Sequence, residues 1–237
     1  MVHLPTRPGI TMALFERAVP GADATIVLIP GGTGGFGKIV AGRPTSGNFL
    51  IRSLDLFLQA GFNVIALGKP SDRADLDGPT RLGSDHRDDL RAVIAHAATE
   101  FGKPVWLVGT SMGTVSAAAA AIDQGDGIDR GIAGLVLTAS LTARSYVGAL
   151  PTQDLAAIRV PVLVVHHQGD DCRACNPYEV PAIIDALRNA PIRESIMMTG
   201  GGPAEGHPCE AFHWHGFVGV EGETVARIAA WMRARLP

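Results

Sequence analysis

Six short, continuously apolar runs recur along the chain, at residues 25–29, 62–67, 105–108, 132–137, 160–165 and 195–198. Runs of this length, rich in Val and Ile, fit strands buried on both faces. Segments of helical period lie between them. Residues 49–60 place Leu50, Leu54, Phe57 and Leu58 on one face. Residues 85–101 do the same with Leu90, Val93, Ile94 and Ala97, and 221–235 with Val225, Ile228, Ala229 and Met232. Residues 111–122 are Ala-rich and apolar nearly all round, which predicts a central buried helix. Strands alternating with helices predict βαβ units, a mostly parallel sheet and helices on both faces. Residues 10–18 read as an edge strand, and 1–9, with Pro5 and Pro8, as an extended lead-in. No long linker divides the 237 residues, so one α/β domain over 1–237 is expected.

Two glycine-rich segments fall on junctions of this pattern. Gly109-Thr110-Ser111-Met112-Gly113 follows the run 105–108 and opens the Ala-rich helix. It matches G-x-S-x-G, in which a serine on a sharp strand-to-helix turn projects its hydroxyl from the sheet edge. A side chain at 109 or 113 is expected to clash with the neighbouring strand or helix. With 29 glycines a chance match is unsurprising; a match at a strand–helix junction is much rarer. The helix start also presents free N–H groups to an anion. Pro30-Gly31-Gly32-Thr33-Gly34-Gly35-Phe36-Gly37 follows the run 25–29. It ends in Gly37-Lys38-Ile39, without the Gly-Lys-Ser/Thr close of a phosphate loop. No acidic residue stands where a dinucleotide fingerprint needs one.

The net charge of −3, with no Lys/Arg run interleaved with aromatics, gives no footprint for nucleic acid. No apolar run approaches the roughly 20 residues of a membrane span. The start, Met1-Val2-His3-Leu4-Pro5, shows neither the basic nor the apolar region of a signal peptide. The expected partner is a small molecule, with no nucleic acid, no membrane, no cofactor and no metal.

Gly47-Asn48-Phe49-Leu50-Ile51-Arg52-Ser53, Pro70-Ser71-Asp72-Arg73, the elbow with Gly113-Thr114-Val115-Ser116, Pro208-Cys209-Glu210-Ala211 and His215-Gly216-Phe217 carry a resemblance that covers nearly the whole chain from Leu4 onward. Together they resemble a group of small bacterial serine hydrolases of the α/β-hydrolase fold. The resemblance implies the fold and a Ser-Asp-His triad, not a substrate. In that fold the acid follows a later strand, and the histidine precedes the last helix. Beyond 160–165 stands His166-His167-Gln168-Gly169-Asp170-Asp171, where the family pattern selects Asp170, with Asp171 as the alternative. His207, His213 and His215 lie before the last helix; His215-Gly216-Phe217 resembles the family's histidine motif, with His213 as the alternative. The other histidines read as surface, cap or satisfied core groups. One oxyanion N–H is expected from Met112 and the other from Gly32, with Thr33 as the alternative.

Three cysteines cannot all pair within one chain. Cys172 follows the acid and Cys209 precedes the histidine, and the related proteins keep a cysteine at each position, which favours a Cys172–Cys209 disulfide. Free thiols, a Cys172-x-x-Cys175 redox pair, and zinc held by Cys172, Cys175, His207 and Cys209 are the rivals. Free thiols fit a cytoplasmic protein; the disulfide fits a periplasmic or secreted one. The roughly 20 residues between the fifth and fourth apolar runs leave room for a short helix near 154–158 but not for a lid domain. These features lead to an expected esterase- or thioesterase-like hydrolase of small substrates; the alternative is a non-catalytic binding protein on the same fold.

Overall fold

The apolar runs become neighbours in one eight-stranded sheet. The structure is a computed structural model that describes residues 1–123 and 131–236. Along the chain come β1 (Val2–Arg7), β2 (Ile10–Arg17), β3 (Thr25–Ile29), a small hairpin of β4 (Ile39–Val40) and β5 (Arg43–Pro44), α1 (Phe49–Arg52) and α2 (Leu54–Gln59). Then follow β6 (Asn63–Pro70), α3 (Gly78–Leu82), α4 (Ser84–Phe101), β7 (Val105–Thr110), α5 (Gly113–Asp123) and β8 (Gly134–Thr138). Last are β9 (Val162–His167), α6 (Val180–Ala186), β10 (Arg193–Met198) and α7 (Glu221–Arg233).

The sheet order is β1-β2-β6-β3-β7-β8-β9-β10, parallel from β6 to β10 and antiparallel at β1 and β2. The side-chain period of two sends alternate residues of each strand to opposite faces. In β3, Val27 and Ile29 join one core with α4, α5 and α6, while Ile26 and Leu28 join the other with α1, α2 and α7. A strand with a core on each side needs apolar residues throughout, which accounts for the continuous runs.

Local departures from the sequence pattern have local causes. The lead-in is strand β1, paired only with β2; an edge strand accommodates Pro5. The helix of 49–60 breaks into α1 and α2 at Ser53 (φ −92°, ψ 6°). The helix expected from Ser111 starts two residues later, because 111 and 112 form the turn. Two short helices, α3 and α6, begin with Pro79 and Pro181 near their N-termini, positions where proline's missing N–H costs nothing. Between β8 and β9 run only loops and two 3₁₀ turns, Leu150–Thr152 and Leu155–Ala157. There is no lid domain.

From β3 the chain moves to β6 on one side and then to β7 on the other. Such a reversal opens a crevice beyond the carboxyl ends of the two strands. Ile29 and Gly109 stand opposite each other there, so the glycine-rich loop and the G-x-S-x-G turn leave the sheet side by side.

Candidate active site

Ser111 lies in the left-handed region, at φ +52°, where a non-glycine residue is strained. Its N–H donates to Thr138 O across the sheet (3.0 Å), which holds the turn in place. Both elbow glycines are needed for close approach. A Cβ at Gly113 would lie 2.0 Å from Ile29 O, and one at Gly109 would lie 2.7 Å from Gly113 O and 2.9 Å from Ala117 Cβ. Gly31 crosses the elbow just as tightly: its Cβ would meet Ser111 Cβ and Thr110 O at 2.8 Å and Met112 N at 3.5 Å. Among the described residues the N–H groups of Gly32 and Met112 donate to no protein acceptor. Both therefore remain available beside the serine.

The acid and base loops bring their candidates together. Asp170 and His215 are buried, and His215 Nδ1 donates to Asp170 Oδ2 at 2.9 Å. Asp170 Oδ1 accepts the N–H of Cys172 (2.9 Å). Both carboxylate oxygens are thus occupied, one by backbone and one by the imidazole, which fixes the ring and leaves Nε2 as its open nitrogen. Asp171 is exposed. His213 is buried with its ring edge-on to Trp214, and its Nδ1 has no partner among the described residues. His207 is exposed and accepts the N–H of Cys209 through Nδ1.

Ser111 and His215 line one cavity of about 260 Å³, together with Gly31, Gly32, Thr33, Asn48, Phe49 and Cys209. They are not hydrogen-bonded to each other; the contact of Ser111 Oγ is the Cys175 thiol, at 3.8 Å. Cys172 and Cys209 are joined by a disulfide that ties the acid loop to the base loop, and Cys175 is free and buried. Burial raises the Cys175 thiol to a pKa of about 12, with the nearby Asp170 carboxylate acting in the same direction.

Three supports of this site were not foreseen in the sequence. Arg81 is fully buried and, among the described residues, faces no carboxylate at hydrogen-bond distance. It donates to Leu76 O (3.0 Å), Ser116 Oγ (2.9 Å), Pro30 O (3.2 Å) and Gly32 O (3.2 Å), so one guanidinium fastens the glycine-rich loop to α5. Burial lowers its pKa to about 10. Ser116 in turn meets His86 Nε2 at 2.9 Å. Arg52 on α1 donates to Gly47 O, Gly216 O and Glu221, which anchors the backbone next to His215. His166, beneath the site, accepts the N–H of Ser140 at Nε2 (2.6 Å). Burial first, with a smaller contribution from His215, lowers its pKa to about 4, so it is neutral at pH 7. His86 is likewise lowered to about 4, chiefly by burial. Neither ring is the satisfied core group expected: both leave Nδ1 without a partner among the described residues.

No family model matches this chain, and no curated protein does either. Solved structures do. A lid-less α/β serine hydrolase of Xanthomonas campestris is 16% identical with a TM-score of 0.66, over 100% of this chain and 94% of its own. An esterase of Pyrococcus furiosus is 15% identical with a TM-score of 0.67, over 100% and 92%. An N-acyl homoserine lactone degrading enzyme is 15% identical with a TM-score of 0.58, over 98% and 99%. At these identities the likeness is one of fold, and the fold of this chain is that of the α/β hydrolases.

Proposed function

We propose that the protein is a serine hydrolase that cleaves small ester-type substrates through an acyl-enzyme, with Ser111 as nucleophile, His215 as base and Asp170 as the orienting acid. The observation that carries this reading is a strained, elbow-mounted serine lining the same small cavity as His215, whose ring bonds the buried Asp170. In the reaction Ser111 Oγ turns from Cys175 to His215 Nε2, loses its proton there and attacks the acyl carbon. His215 returns the proton to the leaving group, and water repeats the cycle on the acyl-enzyme. Asp170 keeps the imidazole in the tautomer with Nδ1 protonated and stabilises the imidazolium. The N–H groups of Gly32 and Met112 receive the oxyanion, and each such donor is worth about 3 kcal/mol in the transition state. Apo sites of this kind are often loose and tighten on substrate. The cavity of about 260 Å³ suits a short acyl group, as an ester, thioester or lactone.

One observation favours a second reading. Ser111 rests on Cys175 and not on His215, as it would in a binding protein that keeps the fold without the chemistry. A fluorophosphonate probe separates the two. Labelling of the wild type that is abolished in Ser111→Ala supports the hydrolase; no labelling, or labelling undiminished by the substitution, selects the binding protein. A series of p-nitrophenyl esters of rising chain length, with lactones alongside, then defines the acyl group.

A further inference from the structure

The free thiol of Cys175 has no part in the mechanism above, yet it stands at the centre of the site. The Sγ atoms of Cys172 and Cys175 and a ring nitrogen of His215 all lie within 4.8 Å of one another, and all three residues are buried. Cys209 Sγ is bonded to Cys172, and Cys209 lines the cavity with His215. His207, which the sequence suggested as a ligand, is exposed and has its Nδ1 on the N–H of Cys209; His215 takes its place. The imidazole is also prepared as metal ligands usually are, with Nδ1–H on a carboxylate and Nε2 free.

We propose that, once the Cys172–Cys209 disulfide is reduced, Cys172, Cys175, Cys209 and His215 form a Cys₃His site for a thiophilic divalent cation such as Zn²⁺. Three thiolates and one imidazole are a common tetrahedral zinc set. Zinc–ligand bonds of about 2.0–2.3 Å put neighbouring ligand atoms roughly 3.5–3.8 Å apart, which modest side-chain turns achieve from the present spacing. The balance is simple. A dithiol or phosphine reductant gives two electrons to the disulfide, and two protons complete the thiols. The cation then displaces three thiol protons and accepts the Nε2 lone pair. A bound cation supplies the positive charge that a buried thiol such as Cys175 needs in order to ionise. The disulfide and the metal exclude each other, since both use Cys172 and Cys209. Metal binding also occupies the nitrogen that the proposed hydrolase uses as its base. That second consequence rests on the hydrolase reading; the binding itself does not.

The test uses the whole protein reduced with a phosphine, freed of it without oxygen, and confirmed to hold three titratable thiols. Co²⁺ is added as the spectroscopic probe. One equivalent is expected to give the thiolate-to-cobalt charge-transfer band and the visible bands of a tetrahedral site, and Zn²⁺ to abolish them. The oxidised protein gives neither. Cys175→Ser, with its fold checked by circular dichroism, is expected to weaken Co²⁺ binding at least 100-fold, and His215→Ala to change the visible bands. Fluorophosphonate labelling of reduced wild type falls at least tenfold with Zn²⁺ and recovers with a chelator. The proposal is overturned by a disulfide that resists reduction in the folded protein, by three free thiols that bind no Co²⁺, or by equal spectra from oxidised protein or from either variant. A cobalt spectrum in a protein that no probe labels keeps the metal site and removes the hydrolase.

Discussion

Replacing Arg81 with methionine keeps much of the side-chain volume and removes every hydrogen bond the guanidinium makes. Four acceptors lose their donor: Leu76 O, Ser116 Oγ, Pro30 O and Gly32 O. Gly32 is exposed and its carbonyl can turn to water, and Ser116 keeps its hydrogen bond to His86; Leu76 O and Pro30 O stay under the loop. An orphaned buried acceptor costs about 2 kcal/mol, so the loss is roughly 4 kcal/mol. Against it stands the relief of no longer burying a cation. The fall of its pKa from 12.5 to about 10 corresponds to roughly 3 kcal/mol. The expected net destabilisation is about 1 kcal/mol, read as a lower urea midpoint at unchanged slope. Arg81→Lys is expected to lose a similar amount, because one ammonium cannot span Ser116 and the loop carbonyls together. The Pro30 and Gly32 carbonyls fix the peptide planes of the glycine-rich loop, so the fluorophosphonate labelling rate is expected to fall roughly 10- to 100-fold, a fraction of what a full oxyanion donor supplies. An unchanged midpoint refutes the energetic argument. A lowered midpoint with an unchanged labelling rate leaves Arg81 as a structural plug with no role in positioning the loop.

Four further outcomes are expected. His86 and His166 are neutral in the fold, with pKa values lowered to about 4, and titrate near 6.5 when unfolded; the unfolded chain binds more protons between these values, so stability is complete above about pH 6.5 and falls by up to roughly 3 kcal/mol per histidine as pH drops towards 4. A urea midpoint that stays flat from pH 7 to 4.5 contradicts this. His215→Ala is expected to lower ester hydrolysis by orders of magnitude while His213→Ala keeps most of it, and the reverse pattern transfers the base to His213. Gly113→Ala forces a Cβ to within 2.0 Å of Ile29 O and is expected to cost about 3 kcal/mol or more, whereas Gly222→Ala, in open space on α7, is expected to gain about 0.5 kcal/mol; equal thermal stabilities would remove the steric account of the elbow. Non-reducing mass spectrometry of protein made under oxidising conditions should find Cys172 bonded to Cys209 and Cys175 free, and Cys209→Ser should lower stability by about 3–4 kcal/mol for a loop of 37 residues; three free thiols in that preparation count against the bond.

Interactions local in sequence were legible, and those built from distant carbonyls were not. The buried strands could be read because a core on each face leaves no room for a polar residue. The elbow could be read because its glycines answer to neighbours within a few residues and to the strand beside it. Asp170 and His215 followed from chain order and a family likeness, and the structure pairs them. Arg81 escaped because nothing in Pro79-Thr80-Arg81-Leu82 distinguishes a buried arginine from a surface one. Three of its four acceptors are main-chain oxygens, as far away as Pro30, and main-chain oxygens carry no sequence signature. Arg52 escaped for the same reason, its partners Gly216 and Glu221 lying more than 160 positions later. Strand β1 was hidden by Pro5 within it and Pro8 just beyond it, since proline signals a break except at a sheet edge. Cys175 gave no hint that it would face Ser111, since that contact depends on how the loop after β9 folds back over β7.

The missing lid has a kinetic side. In lidded enzymes a loop or domain opens and closes on the microsecond-to-millisecond scale, and product escape through that gate often sets the turnover rate. Between β8 and β9 this chain has only loops and two short turns, so this connection sets no such gate between solvent and Ser111. Encounter, chemistry and escape then follow one another without a conformational clock. Thickening the medium would slow diffusion to the cavity and leave the turnover number alone. On the proposed mechanism, the acyl-enzyme formed in this open cavity is also offered to whatever nucleophile is dissolved nearby. Water wins by abundance, and an added alcohol would divert part of the flux into a new ester in proportion to its concentration.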